Sequence, residues 1–267
     1  MTSMTDEPKS FSEPEVRELW QANAPAWGRG VSQRWDFFRY EFHDPAFLPL
    51  LGKLDGTRFL DLACGEGVLS RWAASQGATV TGVDISAELI AQARQGVAQT
   101  STRFHTGSIS HMPFLRDHSF DRAACVMALM DTPKLPPIFM EIARVLAPGG
   151  TVAISTSHPL WDRPGTRWEE GEKGPQLGTY FTKGAWIDEW SFRTPEGGEP
   201  QTRPFRIATF PHTISDYLNA GAQAGLRLEK VLEPLPPTAC SPEHDAVFER
   251  WRHTPFYLMT IWRAGQG

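Results

Sequence analysis

The sequence has few cysteines, and their spacing is not typical of disulfide bonds or of a metal site. Its 267 residues contain Cys64, Cys125 and Cys240, which match neither a disulfide framework nor a set of metal ligands. The first two lie in apolar, strand-like segments, where a reduced thiol packs well. Reduced thiols are typical of a reducing compartment, so we expect a cytoplasmic protein.

A surplus of basic residues and a long apolar run are also missing. The net charge is −5, without a stripe of Lys or Arg, so we expect no nucleic acid partner. No apolar run reaches the roughly 18–20 residues of a membrane span, and the polar, acidic first fifteen residues do not resemble a signal peptide. The eight histidines are scattered, with no third ligand near His111 and His118, so we expect no metal site.

Strand-like and helix-like segments alternate regularly from residue 57 to residue 157. The strand-like segments are apolar on both faces, which is typical of a parallel sheet covered by helices on both sides. The sequence therefore predicts an α/β fold. The predicted strands are 57–63, 78–84, 102–107, 120–127, 151–157, 226–233 and 256–263.

Composition divides the chain into four predicted parts. Residues 1–51 form a helical cap, with a short helix at 16–27 and a partly helical segment broken at Pro45 and Pro49. The alternating core follows at 52–158. An insertion rich in Gly, Pro and aromatic residues occupies 159–211, and 212–267 returns to the core sheet, with a Pro-rich linker at 234–245.

The stretch "FLDLACGEG" (59–67) predicts a ligand-binding loop between the first strand and a helix. Glycine lets backbone N–H groups approach a ligand without an intervening Cβ, and this explains Gly65 and Gly67. A dinucleotide site would have a third glycine where Ser70 stands, and Glu66 would repel a pyrophosphate. Asp84 ends the second strand, where a carboxylate accepts bonds from both ribose hydroxyls. The pattern favours a nucleoside without phosphates.

Four motifs together resemble the class I S-adenosylmethionine-dependent methyltransferases, of the small-molecule, methyltransferase-11-like type. "FLDLACGEG", "GVDIS", "GSISHMPFLRDHSFD" and "EIARVLAPGGTVAIS" follow one another in the family's order. The resemblance covers about residues 20–157 and the two final strands. It implies a Rossmann-like, doubly wound sheet of seven strands, mostly parallel with an antiparallel last strand, and an aromatic-rich lid insertion. It further implies S-adenosyl-L-methionine as cofactor and methyl transfer to a small molecule, through an O, N, S or C nucleophile.

The resemblance also implies which residues hold the cofactor. The glycine loop would approach the methionine part, Asp84 would hold the ribose, and Ile85 would lie against the adenine. Asp61 would anchor the loop or simply cap a turn, and Arg39 would pair with the methionine carboxylate or form a surface ion pair. Ser108 replaces the usual Asp beside the adenine amino group. The predicted cofactor residues are Trp27, Arg39, Asp61, Ala63, Gly65, Gly67, Asp84, Ile85, Ser108, Ile109 and Met127.

Two polar residues follow the fourth and fifth predicted strands and are the predicted catalytic groups. Asp131 and His158 would meet at the carboxyl edge of the sheet and orient or deprotonate an acceptor. The alternative is structural: Asp131 would cap the next helix, and backbone groups would hold His158 before Pro159. Both readings remain open from the sequence.

The aromatic residues of the insertion predict either a satellite core or a pocket for a flat aromatic or cationic substrate. The predicted substrate residues are Trp161, Tyr180, Trp186, Trp190 and His212. Two other functions are alternatives: an NAD-dependent oxidoreductase on a Rossmann-like fold, and a non-catalytic S-adenosylmethionine-binding module. Ser70 and Glu66 disfavour the first, and the intact loop with its large insertion disfavours the second.

Overall fold

The computed structural model describes residues 9–96, 102–167, 174–192, 203–238 and 240–266, so Trp168 of the insertion lies outside the described residues. A seven-stranded sheet forms the centre of this part of the chain. Its strands are β1 (Arg58–Leu62), β2 (Thr79–Asp84), β3 (Thr102–Thr106), β4 (Phe120–Val126), β5 (Leu146–Ser157), β8 (Arg227–Leu232) and β9 (Tyr257–Arg263). A separate antiparallel pair is formed by β6 (Trp186–Trp190) and β7 (Phe205–Thr209).

The strand order of the large sheet is β3-β2-β1-β4-β5-β9-β8. The first five strands are parallel, and β9 runs antiparallel to both of its neighbours. The predicted seven-stranded, mostly parallel sheet with an antiparallel last strand is confirmed. Strand order reverses beside β1, and ligands of such sheets bind at the carboxyl ends of the strands near that point.

Seven α-helices accompany the strands in the described part of the chain. They are α1 (Glu13–Ser32), α2 (Asp44–Phe47), α3 (Val68–Ser75), α4 (Ala87–Gln95), α5 (Leu135–Val145), α6 (Ile214–Gln223) and α7 (Pro242–Glu249). Local signals start several of them. Ser86 accepts a hydrogen bond from the Leu89 amide at the start of α4, and Thr213 forms a capping box with Asp216 at the start of α6. None of the helices described is long and apolar enough to cross a membrane.

Alternate residues along the strands supply two separate cores. Leu60 and Leu62 of β1 belong to the core that α5 and α6 cover, whereas Phe59 packs on the other face with Phe47 and Phe248. Successive side chains of a strand point to opposite faces, so the all-apolar strands serve both cores at once.

Three local expectations differ from the structure. The first helix is α1 and spans 20 residues rather than 16–27, and it continues through Pro25 because residues on both sides of the proline are buried. The segment 234–245 is not only a linker, since Ser241 caps α7 and Pro242 takes its first position. The insertion contains the β6–β7 pair in addition to irregular chain.

Helix α1 is held against β7 by hydrogen bonds of Asn23 and by apolar packing. The Asn23 amide group donates to the Arg206 carbonyl at 3.0 Å and accepts from the Arg206 amide at 3.3 Å. Val16 of α1 packs against Ala208 and Phe210, and Ala26 packs against Phe205 and Ile207. The helical cap and the β6–β7 pair therefore form one continuous cover beside the carboxyl edge of the large sheet.

Candidate active site

A cavity of about 850 Å³ lies at the carboxyl edge of the large sheet. Its floor is formed by residues at or just after the ends of β1, β2, β3, β4 and β5, and α1, β6 and β7 contribute its other walls. The predicted site residues that line it are Trp27, Arg39, Ala63, Gly65, Asp84, Ile85, Ser108, Ile109, Met127, Asp131, Trp161 and Trp190.

The two glycines of the loop have different reasons to be glycine. Both have positive φ, +56° at Gly65 and +81° at Gly67. A Cβ at Gly65 would meet no atom within 4 Å, and Gly65 lines the cavity, so its bare backbone faces open space that a ligand can fill. A Cβ at Gly67 would lie 3.0 Å from Phe104 and 3.2 Å from Ala93. Gly67 does not line the cavity, so its predicted cofactor contact is corrected to close packing at the start of α3.

Asp84 holds the glycine loop in place. Its two carboxylate oxygens accept hydrogen bonds from the Gly65 and Ser86 amides, each at 2.8 Å. Burial raises the pKa of Asp84 to about 6, against the lowering effect of these amides. A carboxylate oxygen has more than one acceptor site, so Asp84 retains capacity for hydroxyl donors in the cavity.

Asp61 lies beneath the loop, outside the cavity. Its carboxylate accepts a hydrogen bond from the Ser70 hydroxyl at 2.6 Å, which ties β1 to α3. Burial raises the pKa of Asp61 to about 7. Asp61 does not line the cavity, and its bond to Ser70 supports the predicted role as an anchor of the loop rather than a direct cofactor contact.

Ser108 and Ile109 line the same end of the cavity as Ile85, and a carboxylate missed by the sequence reasoning joins them there. Glu13 of α1 accepts hydrogen bonds from the hydroxyls of Ser108 and Ser110, each at 2.7 Å. Glu13 thus brings a carboxylate to the place where the family resemblance expected an Asp. The capping box of Ser12 and Glu15 could have predicted the position of Glu13, because it starts α1 at that residue.

Arg39 lines the cavity near Glu66 of the glycine loop. Its guanidinium is 3.9 Å from the Glu66 carboxylate and 3.6 Å from that of Asp44, and its buried Nε has no hydrogen-bond partner among the described residues. The neighbouring Trp27 donates its indole N–H to Glu66 at 2.8 Å. An incompletely paired guanidinium that lines a cavity fits a carboxylate ligand.

Asp131 lines the cavity from the turn after β4. The residue is 6% exposed, and its carboxylate accepts no hydrogen bond from the residues that the structure describes. Burial, reinforced by the charges of Asp162 and Asp188, raises the pKa of Asp131 well above its ordinary value. It does not cap a helix in the structure, since Lys134 occupies the N-cap position of α5.

His158 is a correction, because the structure does not bring it to the cavity with Asp131. Its Nε2 lies 2.8 Å from the Glu233 carboxylate, and its Nδ1 accepts from the Leu160 amide at 3.1 Å. Burial lowers the pKa of His158, although Glu233 opposes that effect. Nδ1 holds the turn after β5 and Nε2 faces Glu233 just after β8, so the prediction of an imidazole facing the acceptor is replaced by a structural role.

Three predicted substrate residues also lie away from the cavity lining. The Tyr180 hydroxyl accepts from the Ile214 amide at 3.1 Å, and its ring faces the Arg163 guanidinium at 4.8 Å. His212 donates to the Thr132 carbonyl at 2.7 Å. Trp186 occupies the far end of β6 from Trp190 and does not line the cavity.

Three further carboxylates that were not predicted from the sequence line the cavity, those of Asp36, Asp162 and Asp188. Asp162 follows β5 and accepts a short hydrogen bond from Ser157, and Asp188 lies on β6 two residues before Trp190. Asp188 and Trp190 share one face of β6, and Ile207 and Thr209 share one face of β7. The alternation of residues in "WIDEW" could have predicted that Asp188 and Trp190 face the same side of a strand. No group of three or more His, Cys, Asp and Glu in the described residues has an arrangement that could hold a metal ion.

Comparisons with known proteins agree with this geometry. The methyltransferase domain family matches residues 60–154. The chain is 28% identical over 226 residues to an uncharacterised protein of Haemophilus influenzae, covering 79% of this chain and 82% of that protein. It is 35% identical over 105 residues to a ubiquinone biosynthesis O-methyltransferase of Xanthomonas campestris, covering 39% of this chain and 44% of that enzyme. The match thus spans less than half of that relative's length.

Among solved structures, the fold is similar to an S-adenosylmethionine-dependent methyltransferase from Mesorhizobium loti. The TM-score is 0.68 at 26% sequence identity, and the match covers 82% of this chain and 96% of that one. The similarity therefore extends well beyond the residues matched by the domain family.

Proposed function

This chain belongs to the class I S-adenosylmethionine-dependent methyltransferases, and we propose that its methyl acceptor is a small molecule bound beside Asp131. One observation carries the proposal: a single cavity runs from the glycine loop to Asp131 and on to the aromatic residues of the insertion. At about 850 Å³ it lies near the upper end of the roughly 300–1,000 Å³ that small-molecule sites occupy.

The residues around the glycine loop are proposed to hold the cofactor. Gly65 offers its backbone, Asp84 accepts from the ribose hydroxyls, and Arg39 pairs with the amino-acid carboxylate. Glu13 accepts a hydrogen bond from the adenine amino group. Its carboxylate is held beside Ile109 by hydrogen bonds from the hydroxyls of Ser108 and Ser110. When bound, the cofactor supplies a methyl group activated by the positive sulfonium sulfur.

The remaining work of the protein is alignment, exclusion of water and control of a proton. An acceptor must lie in line with the methyl carbon and the sulfur, and such positioning lowers the barrier without covalent help from the protein. We assign the orienting or proton-accepting role to Asp131, which faces the cavity without a partner. The segment 159–211 is proposed to act as a lid, with Trp161 and Trp190 in contact with the acceptor.

Calorimetric titration with S-adenosylhomocysteine tests the cofactor part of the proposal. We expect tight binding by the wild-type protein, weak binding of NAD, and at least a tenfold loss in Asp84→Ala, because a hydrogen bond to a charged acceptor is worth about 1.5–3 kcal/mol. Asp121→Ala is the control, because the Asp121 carboxylate forms a surface ion pair with Arg58. Tight NAD binding without a response to S-adenosylhomocysteine would overturn the assignment.

Release of S-adenosylhomocysteine in the presence of small-molecule acceptors tests the catalytic part. For an acceptor that is turned over, Asp131→Asn should lower kcat by about 10²- to 10⁴-fold, the usual contribution of a general base. The affinity for S-adenosylhomocysteine should change by a few-fold at most. His158→Ala, by contrast, should lower the melting temperature and leave turnover per folded molecule nearly unchanged.

A further inference from the structure

We propose that the methyl acceptor is a protonated amine, bound with its ammonium group among Asp131, Asp162 and Asp188 and its carbon skeleton against Trp161 and Trp190. The inference rests on the proposed function and adds the chemical class of the acceptor. These three aspartates form the acidic cluster.

The acidic cluster is assembled from three separate parts of the chain. Asp131 belongs to the turn after β4, Asp162 follows β5, and Asp188 comes from β6 of the insertion. All three line the one cavity. They are close enough that the charges of Asp162 and Asp188 both act on Asp131, and the charge of Asp188 acts on Asp162. Burial raises the pKa of all three carboxyls, so they favour their neutral forms until a positive ligand stabilises the ionised ones.

An unpartnered carboxylate is the second and independent observation. The side chain of Asp131 is almost completely buried, yet none of the described residues donates a hydrogen bond to it. Buried polar groups are nearly always paired, and an exception that faces a cavity points to a ligand. The missing partner of a carboxylate is a hydrogen-bond donor, and a cation is the strongest one.

No positive side chain in the described part of the chain donates a hydrogen bond to a carboxylate of the acidic cluster. Arg163 donates to the backbone carbonyls of Asp162 and His212, and its guanidinium lies over the Tyr180 ring, so its charge acts on the Asp162 carboxylate without a hydrogen bond. Lys134 lines the cavity but is solvent-exposed. Arg39 lies at the glycine-loop end, between Glu66 and Asp44.

Aromatic walls complete the features of an ammonium site. Trp161 is fixed by a hydrogen bond from its indole N–H to the Phe256 carbonyl at 3.1 Å and by stacking on the Phe256 ring. Trp190 packs edge-on against Trp27 and Phe205. Cations bind favourably over the faces of Trp rings, most of all where water is excluded. The same walls give no advantage to a carboxylate, which the acidic cluster repels.

The carboxylates also supply what an amine needs before it can attack. The ammonium group gives one N–H proton to an ionised carboxylate of the acidic cluster, which becomes a neutral carboxyl. The freed nitrogen lone pair forms a bond to the methyl carbon while the carbon–sulfur bond breaks, and that electron pair stays on sulfur. The methylated amine carries away one positive charge, so charges balance. Burial raises the pKa of Asp162 to about 6, which makes its carboxylate a better proton acceptor.

Matched acceptor sets distinguish the acceptor classes. Ten ring skeletons are each prepared as an ethylamine, an ethanol and an acetate, beginning with 2-phenylethylamine, 2-phenylethanol and phenylacetate. Binding is measured by calorimetry on the protein saturated with S-adenosylhomocysteine, and turnover by S-adenosylhomocysteine release. We expect the amines to bind at least tenfold more tightly than the matched alcohols and acetates, and to be the members that are methylated.

Variants of β6 locate the effect. Asp188→Asn should weaken amine binding about tenfold and leave the binding of S-adenosylhomocysteine unchanged. Glu189→Gln is the control, because Glu189 is the next residue on β6 and pairs with Arg206 at the surface. No preference for amines across the ten sets, a preference for alcohols or acetates, or turnover that requires added Mg²⁺ would overturn the inference. Those outcomes leave the cofactor part of the proposed function intact, whereas a failure of S-adenosylhomocysteine to bind would overturn that part.

Discussion

The indole N–H of Trp27 donates a hydrogen bond to the Glu66 carboxylate at 2.8 Å, and this bond joins helix α1 to the glycine loop. Glu66 stands between the two glycines and is 7% exposed. The N-terminal helix therefore does more than cover the cavity, because it fixes the side chain of the residue around which the loop turns.

The first prediction concerns this bond. Trp27→Phe removes the donor and leaves the buried Glu66 carboxylate without this hydrogen bond. The loss of a hydrogen bond to a charged group costs about 1.5–3 kcal/mol of free energy, which here would destabilise the glycine loop. We expect the affinity for S-adenosylhomocysteine to fall roughly tenfold in calorimetry. Trp72→Phe is the matched control, because Trp72 is a half-buried residue of α3 that does not line the cavity. Equal losses in the two variants would mean that the hydrogen bond does not shape the loop.

The second prediction concerns recognition of the adenine. A carboxylate accepts from the 6-amino group of adenine and repels the 6-oxo group of hypoxanthine. We expect wild-type protein to bind S-adenosylhomocysteine roughly 10- to 100-fold more tightly than its hypoxanthine analogue, in line with hydrogen bonds to charged groups. Glu13→Ala should lose most of this preference, whereas the exposed Glu18→Ala should keep it. A preference retained in Glu13→Ala would assign recognition to the backbone near Ile109.

The third prediction concerns the pH dependence of stability. Because burial and two neighbouring charges raise the pKa of Asp131, the folded protein keeps a proton there at pH values where the unfolded chain has lost it. The free energy of unfolding therefore falls as pH rises, by at most about 1.4 kcal/mol per pH unit for this group. Asp131→Asn lacks this titration and should be increasingly the more stable protein as pH rises.

Urea unfolding of both proteins from pH 4 to pH 8.5 measures this difference. Near pH 4 the titration contributes little, and the gap should widen toward pH 8.5. Burial lowers the pKa of His158 and of His212, so these groups favour stability at higher pH, but they do so in both proteins and cancel in the comparison. A difference that stays constant with pH would contradict the buried, unpaired state of Asp131.

The fourth prediction compares two glycines of α1. A Cβ at Gly30 would lie 2.1 Å from ring carbons of the buried Phe192, whereas one at Gly28 would meet the flexible end of Gln92. Gly30→Ala should lower the free energy of unfolding by about 1–3 kcal/mol through overpacking. Gly28→Ala should be near neutral, since the alanine gains about 0.5–1 kcal/mol in a helix and the Gln92 bond to Ala24 is lost. Chemical denaturation of both variants separates the two cases.

The sequence predicted best what neighbouring residues determine. The strand–loop–helix from β1 to α3 and the strand end at Asp84 place Gly65 and Asp84 on the cavity without help from distant segments. The strands that are apolar on both faces likewise predict that the sheet is covered on both sides. A position at the end of a parallel strand is thus readable from local sequence.

The direction in which a side chain points at that edge could not be predicted from the local sequence. His158 follows β5 as predicted but turns to Glu233, which lies 75 residues later. Glu13 meets Ser108 across 95 residues, and Asp188 reaches the cavity only through the pairing of β6 with β7. Such partners are selected by tertiary packing, for which periodicity and motif spacing hold no information.

The bond between Asn23 and Arg206 has a consequence for association between chains. A two-stranded sheet leaves backbone donors and acceptors along its edges, and such edges recruit strands from other molecules. Asn23 occupies both backbone groups of Arg206 on β7, and Lys9 pairs through two backbone bonds with Ala185 just before β6. The N-terminal segment thus shields the small sheet from strand addition. A chain shortened to begin after residue 32 would expose these groups, and we expect it to aggregate even though the large sheet remains intact.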